Sequence, residues 1–236
     1  GHTVLVADSP AFGSARSVAR RTGLLTPLAS LGVPVMSLDK PVASMLPMGQ
    51  SVGISSTALE ADRILSLPKL KAHCQMRMTG AIKNLFGCIS GMRKALAHTL
   101  HGDKGNRFPS LILELGQMLP PTVHLLDGIT AMHVDGPKGG QPYELGLLAG
   151  SASAVALDTA ACSILGLGPE LVPLWQEARR RELPGSDPKD LHYPDHGPDD
   201  FPATGFVLPE HLKDESFNPM RLLKSSLKRI WTRLKG

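Results

Sequence analysis

Residues 109–128 read PSLILELGQMLPPTVHLLDG. Leu111, Ile112, Leu115, Met118 and Leu119 recur at three- and four-residue steps, the spacing of one helical face. Pro120-Pro121 cannot continue a helix and stops it. Residues 123–126 then form an apolar run of strand length and buried type, and Asp127-Gly128 is a turn signal. A helix passed directly to a buried strand is the building unit of α/β folds.

The pattern repeats on both sides. Strands are expected at 4–7, 33–38, 63–67 and 144–150. Helical spacing is expected at 14–22 (with Gly23 as C-cap), 57–61, 80–89, 94–101 and 154–165. These predict an α/β fold: a mixed, mostly parallel sheet covered by helices. An α/β core over 3–183 is followed by an irregular segment over 184–216, rich in Pro, Asp, Gly and His. Residues 217–235 predict an amphipathic C-terminal helix, with Met220, Leu223, Leu227, Trp231 and Leu234 on one face and basic residues on the other. It reads either as a helix docked on the body or as a weak membrane-surface contact. Gly1-His2 looks like the remnant of a purification tag, and no signal peptide opens the chain. The abrupt start in a strand leads us to expect that a first element is shortened or lost.

The 236 residues are 42% hydrophobic and 19% charged, which excludes a disordered or collagen-like chain. No apolar run approaches the ~20 residues of a membrane span. The three cysteines, Cys74, Cys88 and Cys162, include no CxxC pair. They cannot by themselves ligate a four-cysteine iron–sulfur cluster or a structural zinc. Reduced thiols predict a cytoplasmic protein. From Phe217 onward stand six basic residues and no acid, which removed from the formal +4 leaves −2 on the body. The basic pI is thus a property of the tail, and with 4% aromatic residues no nucleic-acid partner is expected.

The densest chemical signal lies between Pro68 and His101. In an extended segment Lys69, Lys71 and His73 point to one face and Leu70 and Ala72 to the other. Such like charges repel by about 4 kcal/mol at ~4 Å and a surface-like dielectric, unless they splay or an anion neutralises them. Thr79-Gly80-Ala81 then opens a helix whose free amides favour an anion. Lys83 and Asn84 stand in its first turns. Together these predict a pocket for a carboxylate or phosphate, against the alternative of a solvated basic edge. Lys94, His98 and His101 share a helical face and read as proton relay, anion contact or plain surface. Asp127, like Asp8, ends a strand, where ligands sit in parallel α/β sheets. The segment 135–140 is Gly- and Pro-rich and suits a close backbone approach to a ligand. Asp158 either pairs with a lysine of the cluster or caps a loop.

With those residues in view, the chain resembles a known family. Leu67-Pro68-Lys69-Leu70-Lys71-Ala72-His73 followed by Thr79-Gly80-Ala81-Ile82-Lys83-Asn84-Leu85-Phe86-Gly87 is similar to the core motif of the domain of unknown function number 362. Leu125-Leu126-Asp127-Gly128-Ile129, Gly136-Pro137 and Ala156-Leu157-Asp158 follow in the family's order. The resemblance implies a mixed α/β domain with Lys69, Lys71, His73, Lys83, Asn84 and Asp127 as signature positions. It also implies association with iron–sulfur or redox proteins, since many relatives carry a ferredoxin-like module; here a cluster would come from a partner. Two departures stand out: His133-Val134 where the family often has glutamate and glycine, and Ser153-Ala154 where it often has Asp-Pro.

Three functions compete. In the first, an enzyme binds a small anionic substrate or cofactor, with His73 or His98 as acid/base and Lys83 as a second catalytic group. There Lys83 and Asn84 hold developing negative charge, and Lys69, Lys71, Thr79, His101 and Asp127 bind the anion. In the second, a non-catalytic module binds an anion or docks a ferredoxin-like redox partner. In the third, His98, His101 and His133 bind nickel or zinc, by analogy with nickel-cofactor racemases. The sequence names no cofactor.

Overall fold

The computed structural model describes residues 1–10, 13–90, 106–137 and 139–212. The predicted C-terminal helix and the segment holding Lys94, His98 and His101 lie outside them.

The chain opens with β1 (Val6–Asp8), which pairs in parallel with β2 (Val35–Ser37). Between them run α1 (Ala15–Arg21) and α2 (Leu25–Ser30). A capping box starts α1: Ser17 N–H donates to Ser14 Oγ at 3.2 Å, and Ser14 N–H donates to Ser17 Oγ at 3.1 Å. β3 (Pro41–Met45) and β4 (Ser51–Ser55) then form an antiparallel hairpin, followed by the short α3 (Ser56–Leu59). The periodicity missed this hairpin. Its strands mix serine, alanine and glycine with few large apolar residues, and the turn is marked by Pro47 and by Gly49, at φ +81°.

The main sheet holds β5 (Ile64–Ser66), β6 (Lys69–His73), β7 (Arg77–Thr79), β8 (Thr122–His133) and β9 (Gln141–Ser151). β5 and β6 lie end to end along one edge of β8, both parallel to it, with Leu65 beside Val123 and Lys69 beside Asp127. β9 runs antiparallel along the other edge of β8, and β7 runs antiparallel beyond β6. The centre is parallel and the rims antiparallel, so the mixed α/β class holds. One expectation needs correcting. Asp127-Gly128 is no strand end, because β8 runs on to His133 through a bulge between Gly128 and Thr130. Gly128 sits tightly inside the strand: a Cβ there would lie 3.1 Å from the Leu147 Cβ on β9, which would have to give by a few tenths of an ångström.

The helices are α4 (Ala81–Asn84), continued by a 3-10 turn over Leu85–Cys88, then α5 (Arg107–Met118), α6 (Ala154–Ile164) and α7 (Pro173–Arg180). They bury two clusters. In one, α5 places Phe108, Leu111, Ile112 and Leu115 against Phe86, Ile89 and Ile54, with the Phe86 and Phe108 rings edge to face at 5.3 Å. In the other, Leu70, Leu126 and Leu147 of the sheet meet Leu157, Ala161 and Trp175 of the helices. Each buried Leu, Ile or Phe among them contributes about 1.5–3 kcal/mol.

Charge is buried too. Glu177 on α7 accepts hydrogen bonds from Ser110, Asn106, Arg180 and Arg181, and Arg181 also donates to Glu114 on α5 at 3.0 Å. Glu114 in turn accepts from the Met48 amide in the hairpin turn. The network thus ties α5, α7 and the hairpin together. Past Leu183 the described chain carries two 3-10 turns, and Phe201, Phe206 and Leu208 pack on the second cluster. Arg77 staples this segment down, its guanidinium donating to the carbonyls of Leu171 at 2.7 Å, Pro209 at 2.6 Å and Glu210 at 3.3 Å.

Candidate functional site

Alternation along β6 is as the sequence predicts: Leu70 and Ala72 are fully buried, while Lys69 is exposed and Lys71 half-buried. The three basic side chains are met separately. Lys69 Nζ stands 2.8 Å from Asp127 Oδ2 across the β6/β8 pairing, and Asp127 Oδ1 accepts the Ile129 amide at 3.1 Å. The Lys69 hydrogen bond holds the Asp127 carboxyl below its ordinary range. Burial pushes the Lys71 ammonium down, and the charge of Asp8 acts against that shift. His73 is buried, and its Nδ1 accepts the amides of Gln75 and Met76 at 3.1 and 3.3 Å. An Nδ1 engaged this way leaves the proton of a neutral ring on Nε2. Thr79 stands opposite Lys71 in the β6/β7 pairing and is buried, its Oγ1 without a hydrogen-bond partner.

At the start of α4 the structure corrects the sequence reading. The amides of Ala81 and Ile82, expected to be free for an external anion, are held by Asp158 of α6 at 2.6 and 3.0 Å. Gly80 permits the approach, since a Cβ there would run into Asp158 Oδ1. Of the two roles left open for Asp158, the structure selects the cap. Burial raises its carboxyl to about 7, against the pull of the two amides. Lys83 and Asn84, adjacent on α4, turn to different partners: Lys83 Nζ lies 5.9 Å from the Phe86 ring centroid, and Asn84 Nδ2 donates to Ser66 Oγ on β5 at 2.9 Å. In the loop that starts at Asp135, one glycine makes a close approach to the protein's own backbone. Gly136 lies against the Ala72 carbonyl, and its own carbonyl accepts the Cys74 amide at 2.9 Å.

The register also places together a set of large apolar residues that includes Val123 and Leu125, which the sequence reading had taken for part of a buried strand. Leu65 pairs with Val123, Asp127 with Leu148, and Leu67 and Leu125 follow two residues along on the same face. Leu65 and Leu67 are each 63% exposed, Leu148 55%, Ile129 51%, Val123 50% and Leu125 37%. On the opposite face of the same strands lie buried Ser66, His124, Leu126 and Leu147. One side of the β5/β8/β9 sheet is therefore an open aliphatic surface with the Lys69 and Asp127 pair set into it. At its rim Thr130 Oγ1 donates to Glu144 Oε2 at 2.9 Å. The sequence points the other way: alternation of Leu65, Ser66, Leu67 and of Val123, His124, Leu125 would put the polar residues outside, whereas Ser66 and His124 are buried.

The donor set of this chain does not fit an iron–sulfur cluster. All three cysteines are buried, and Cys162 lies against the Met78 sulfur with its thiol pushed well up by burial and by nearby Asp158. His133 packs with its ring tilted against Tyr143 and Phe206, and its Nδ1 accepts the Val207 amide at 3.3 Å. Among the described residues no helix is long and apolar enough to cross a membrane.

Residues 1–163 match the family model described as domain of unknown function DUF362. The chain is 36% identical over 234 residues to the thylakoid-associated protein sll1697 of Synechocystis sp., an alignment covering 99% of this chain and 73% of that protein. No solved structure matches it.

Proposed function

The chain belongs to the family of the domain of unknown function DUF362, and from that premise we propose that it is a docking module. In this reading the open face of its sheet receives an aliphatic protein surface, and Lys69 exchanges Asp127 for a carboxylate of that partner. The observation carrying it is the set of large exposed side chains on one regular sheet face. Contiguous apolar surface of this kind is uncommon on a monomer and marks interaction sites. The pair of Lys69 with Asp127 is easily given up, because an ion pair this exposed contributes only about 0–1 kcal/mol.

Asp127 and Glu144 on the same face favour a protein over an anionic bilayer, which would repel both. The relative's thylakoid association supports a partner that resides at a membrane. A ferredoxin-like redox protein is the partner that the family resemblance implies, and the anion foreseen at Lys69 then belongs to that partner's side chain.

Site-specific photo-crosslinking tests this. A photoreactive side chain at Leu125 is expected to give a discrete protein adduct in the native host, one at exposed Leu31 of the same chain is not, and Lys69→Glu should abolish the first. No adduct at Leu125, or the same adducts at both positions, would sink the proposal. So would sedimentation of the purified chain with anionic vesicles in a manner lost on Leu125→Lys, since the face would then be a lipid contact.

One observation favours a second reading, the anion-binding enzyme with His73 as acid/base and Lys83 and Asn84 as charge-holding groups. Lys71 is half-buried beside Thr79, and although the charge of Asp8 acts on it, burial of the ammonium outweighs that charge and favours uptake of a further anion. Inorganic phosphate, pyrophosphate and small dicarboxylates would then raise the melting temperature of the wild-type chain. The effect should weaken as pH climbs through the lowered pKa of Lys71, and Lys71→Met should remove it. A shift that survives Lys71→Met, His73→Ala and Lys83→Ala alike would remove this reading.

A further inference from the structure

The sheet face leaves one motif of the sequence unused, the basic segment at 217–235. From Phe217 to the end the chain has six basic residues and no acid. Asn218-Pro219 is a helix-start signal, a capping residue followed by proline at the first helical position. At about 100° per residue, a helix from there gathers Met220, Leu223, Leu227, Ile230, Trp231 and Leu234 within an arc of about 100°. Every basic residue falls outside that arc, and of the large apolar residues from Met220 on only Leu222 does.

Three surfaces compete for such a helix. Nucleic acid would meet the charge but leave the apolar stripe in water. The open sheet face would meet the stripe, but it offers the six cations two carboxylates, Asp127 and Glu144, and Asp127 already holds Lys69. An anionic bilayer meets both halves: the acyl boundary takes the stripe, and the headgroups take as many basic residues as reach them. Trp231, apolar in body with one N–H to satisfy, suits the boundary between the two.

We infer that residues 217–235 are a bilayer-surface anchor, an amphipathic helix that lies in the headgroup region of an anionic lipid leaflet with its stripe toward the acyl chains. Its charges keep it from crossing. Arg77 fixes the chain just ahead of it, donating to the carbonyls of Pro209 and Glu210 at 2.6 and 3.3 Å and so tying them to β7. An anchor starting at 217 thus joins a fixed point of the main sheet by a short connection and holds that sheet close to the bilayer. The open face would then meet its partner at the membrane; that consequence rests on the docking proposed above, and the anchor itself does not.

The full chain is sedimented with vesicles of phosphatidylglycerol and phosphatidylcholine, and quenching of tryptophan emission by brominated acyl chains is recorded. Such quenching reaches Trp231 and not Trp175, which is buried in the body. Binding with quenching is expected, about tenfold weaker on phosphatidylcholine alone and at high salt. Leu227→Glu puts a carboxylate in the middle of the stripe and should weaken binding about tenfold. Leu125→Lys, on the sheet face, should leave it unchanged, and so should any failure of the cross-link at Leu125. No sedimentation with the anionic vesicles, sedimentation without quenching, equal binding by wild type and Leu227→Glu, or loss of binding in Leu125→Lys would each overturn the anchor.

Discussion

Replacing Glu177 by alanine is expected to cost about 3–5 kcal/mol, a large part of the stability of a domain of this kind. Glu177 has no exposed side-chain surface, while Arg181, bonded to it at 2.7 Å, is only 16% exposed. Removing the carboxylate leaves that guanidinium in a mostly buried site with Glu114 and the Met48 sulfur as its remaining partners, both on its Nη2, and leaves Ser110 Oγ and Asn106 Nδ2 without their acceptor. Burial pushes the Glu177 carboxyl up, but the hydrogen bonds from Arg180, Ser110 and Arg181 outweigh it and hold it at about 2. A folded pKa below the ordinary carboxylate value means that the carboxylate stabilises the fold above about pH 4.5 and loses that effect as pH falls towards 2. Urea unfolding at neutral pH measures the first effect, and melting across pH 2–5 the second. The wild-type chain should lose stability through that acid range more steeply than Glu177→Gln. A cost below about 1 kcal/mol for Glu177→Ala would mean that the network is not what joins α5 to α7.

The second large effect falls on Asp158, and its pH dependence has the opposite sign. Asp158→Ala uncovers the amides of Ala81 and Ile82 in a buried site, where an unmet donor costs about 1–3 kcal/mol. The variant also sheds the penalty of burying a carboxylate, so a net loss of about 2 kcal/mol is expected near pH 5. The wild-type carboxyl sits at about 7, above its ordinary value of 3.8. The folded state therefore holds the proton more tightly than the unfolded state. The contribution of Asp158 is complete below about pH 4, declines as pH rises, and is gone above about pH 7. Asp158→Asn keeps one acceptor for the amides and cannot ionise, so its stability should be level where the wild type slopes. Melting temperatures of the three proteins between pH 4 and 8 read this directly. Parallel slopes in wild type and Asp158→Asn would show that another group titrates there.

Much of the architecture was legible because it rests on local pattern. The helical spacing of Leu111, Ile112 and Leu115 placed α5, and the helix-like run 14–22 closed by Gly23 placed α1. The alternation of Lys69, Leu70 and Lys71 set the faces of β6. What escaped depended on distant partners. Val123 and Leu125 read as core because their apolar character says nothing about which face of a strand the helices cover. Only the pairing with β5 and β9 shows that they are outside. The α4 start looked vacant because its counter-charge, Asp158, comes from a helix more than seventy residues later. The same holds for Glu114. A glutamate in the run Leu111-Ile112-Leu113-Glu114-Leu115 is a visible anomaly, yet its partner Arg181 lies beyond any local window. His98 and His101 lie outside the described residues, so the histidine face foreseen for them belongs to the sequence alone.

Carbene footprinting of the purified chain and of the same chain in its native membrane-containing extract tests docking most directly. In isolation Leu65, Leu125 and Leu148 should all label, Leu125 less readily than the more exposed control Leu31. In the extract those three should be protected while Leu31 is not, and Lys69→Glu should restore their labelling. Equal labelling of the sheet face in both states would contradict a partner on that surface.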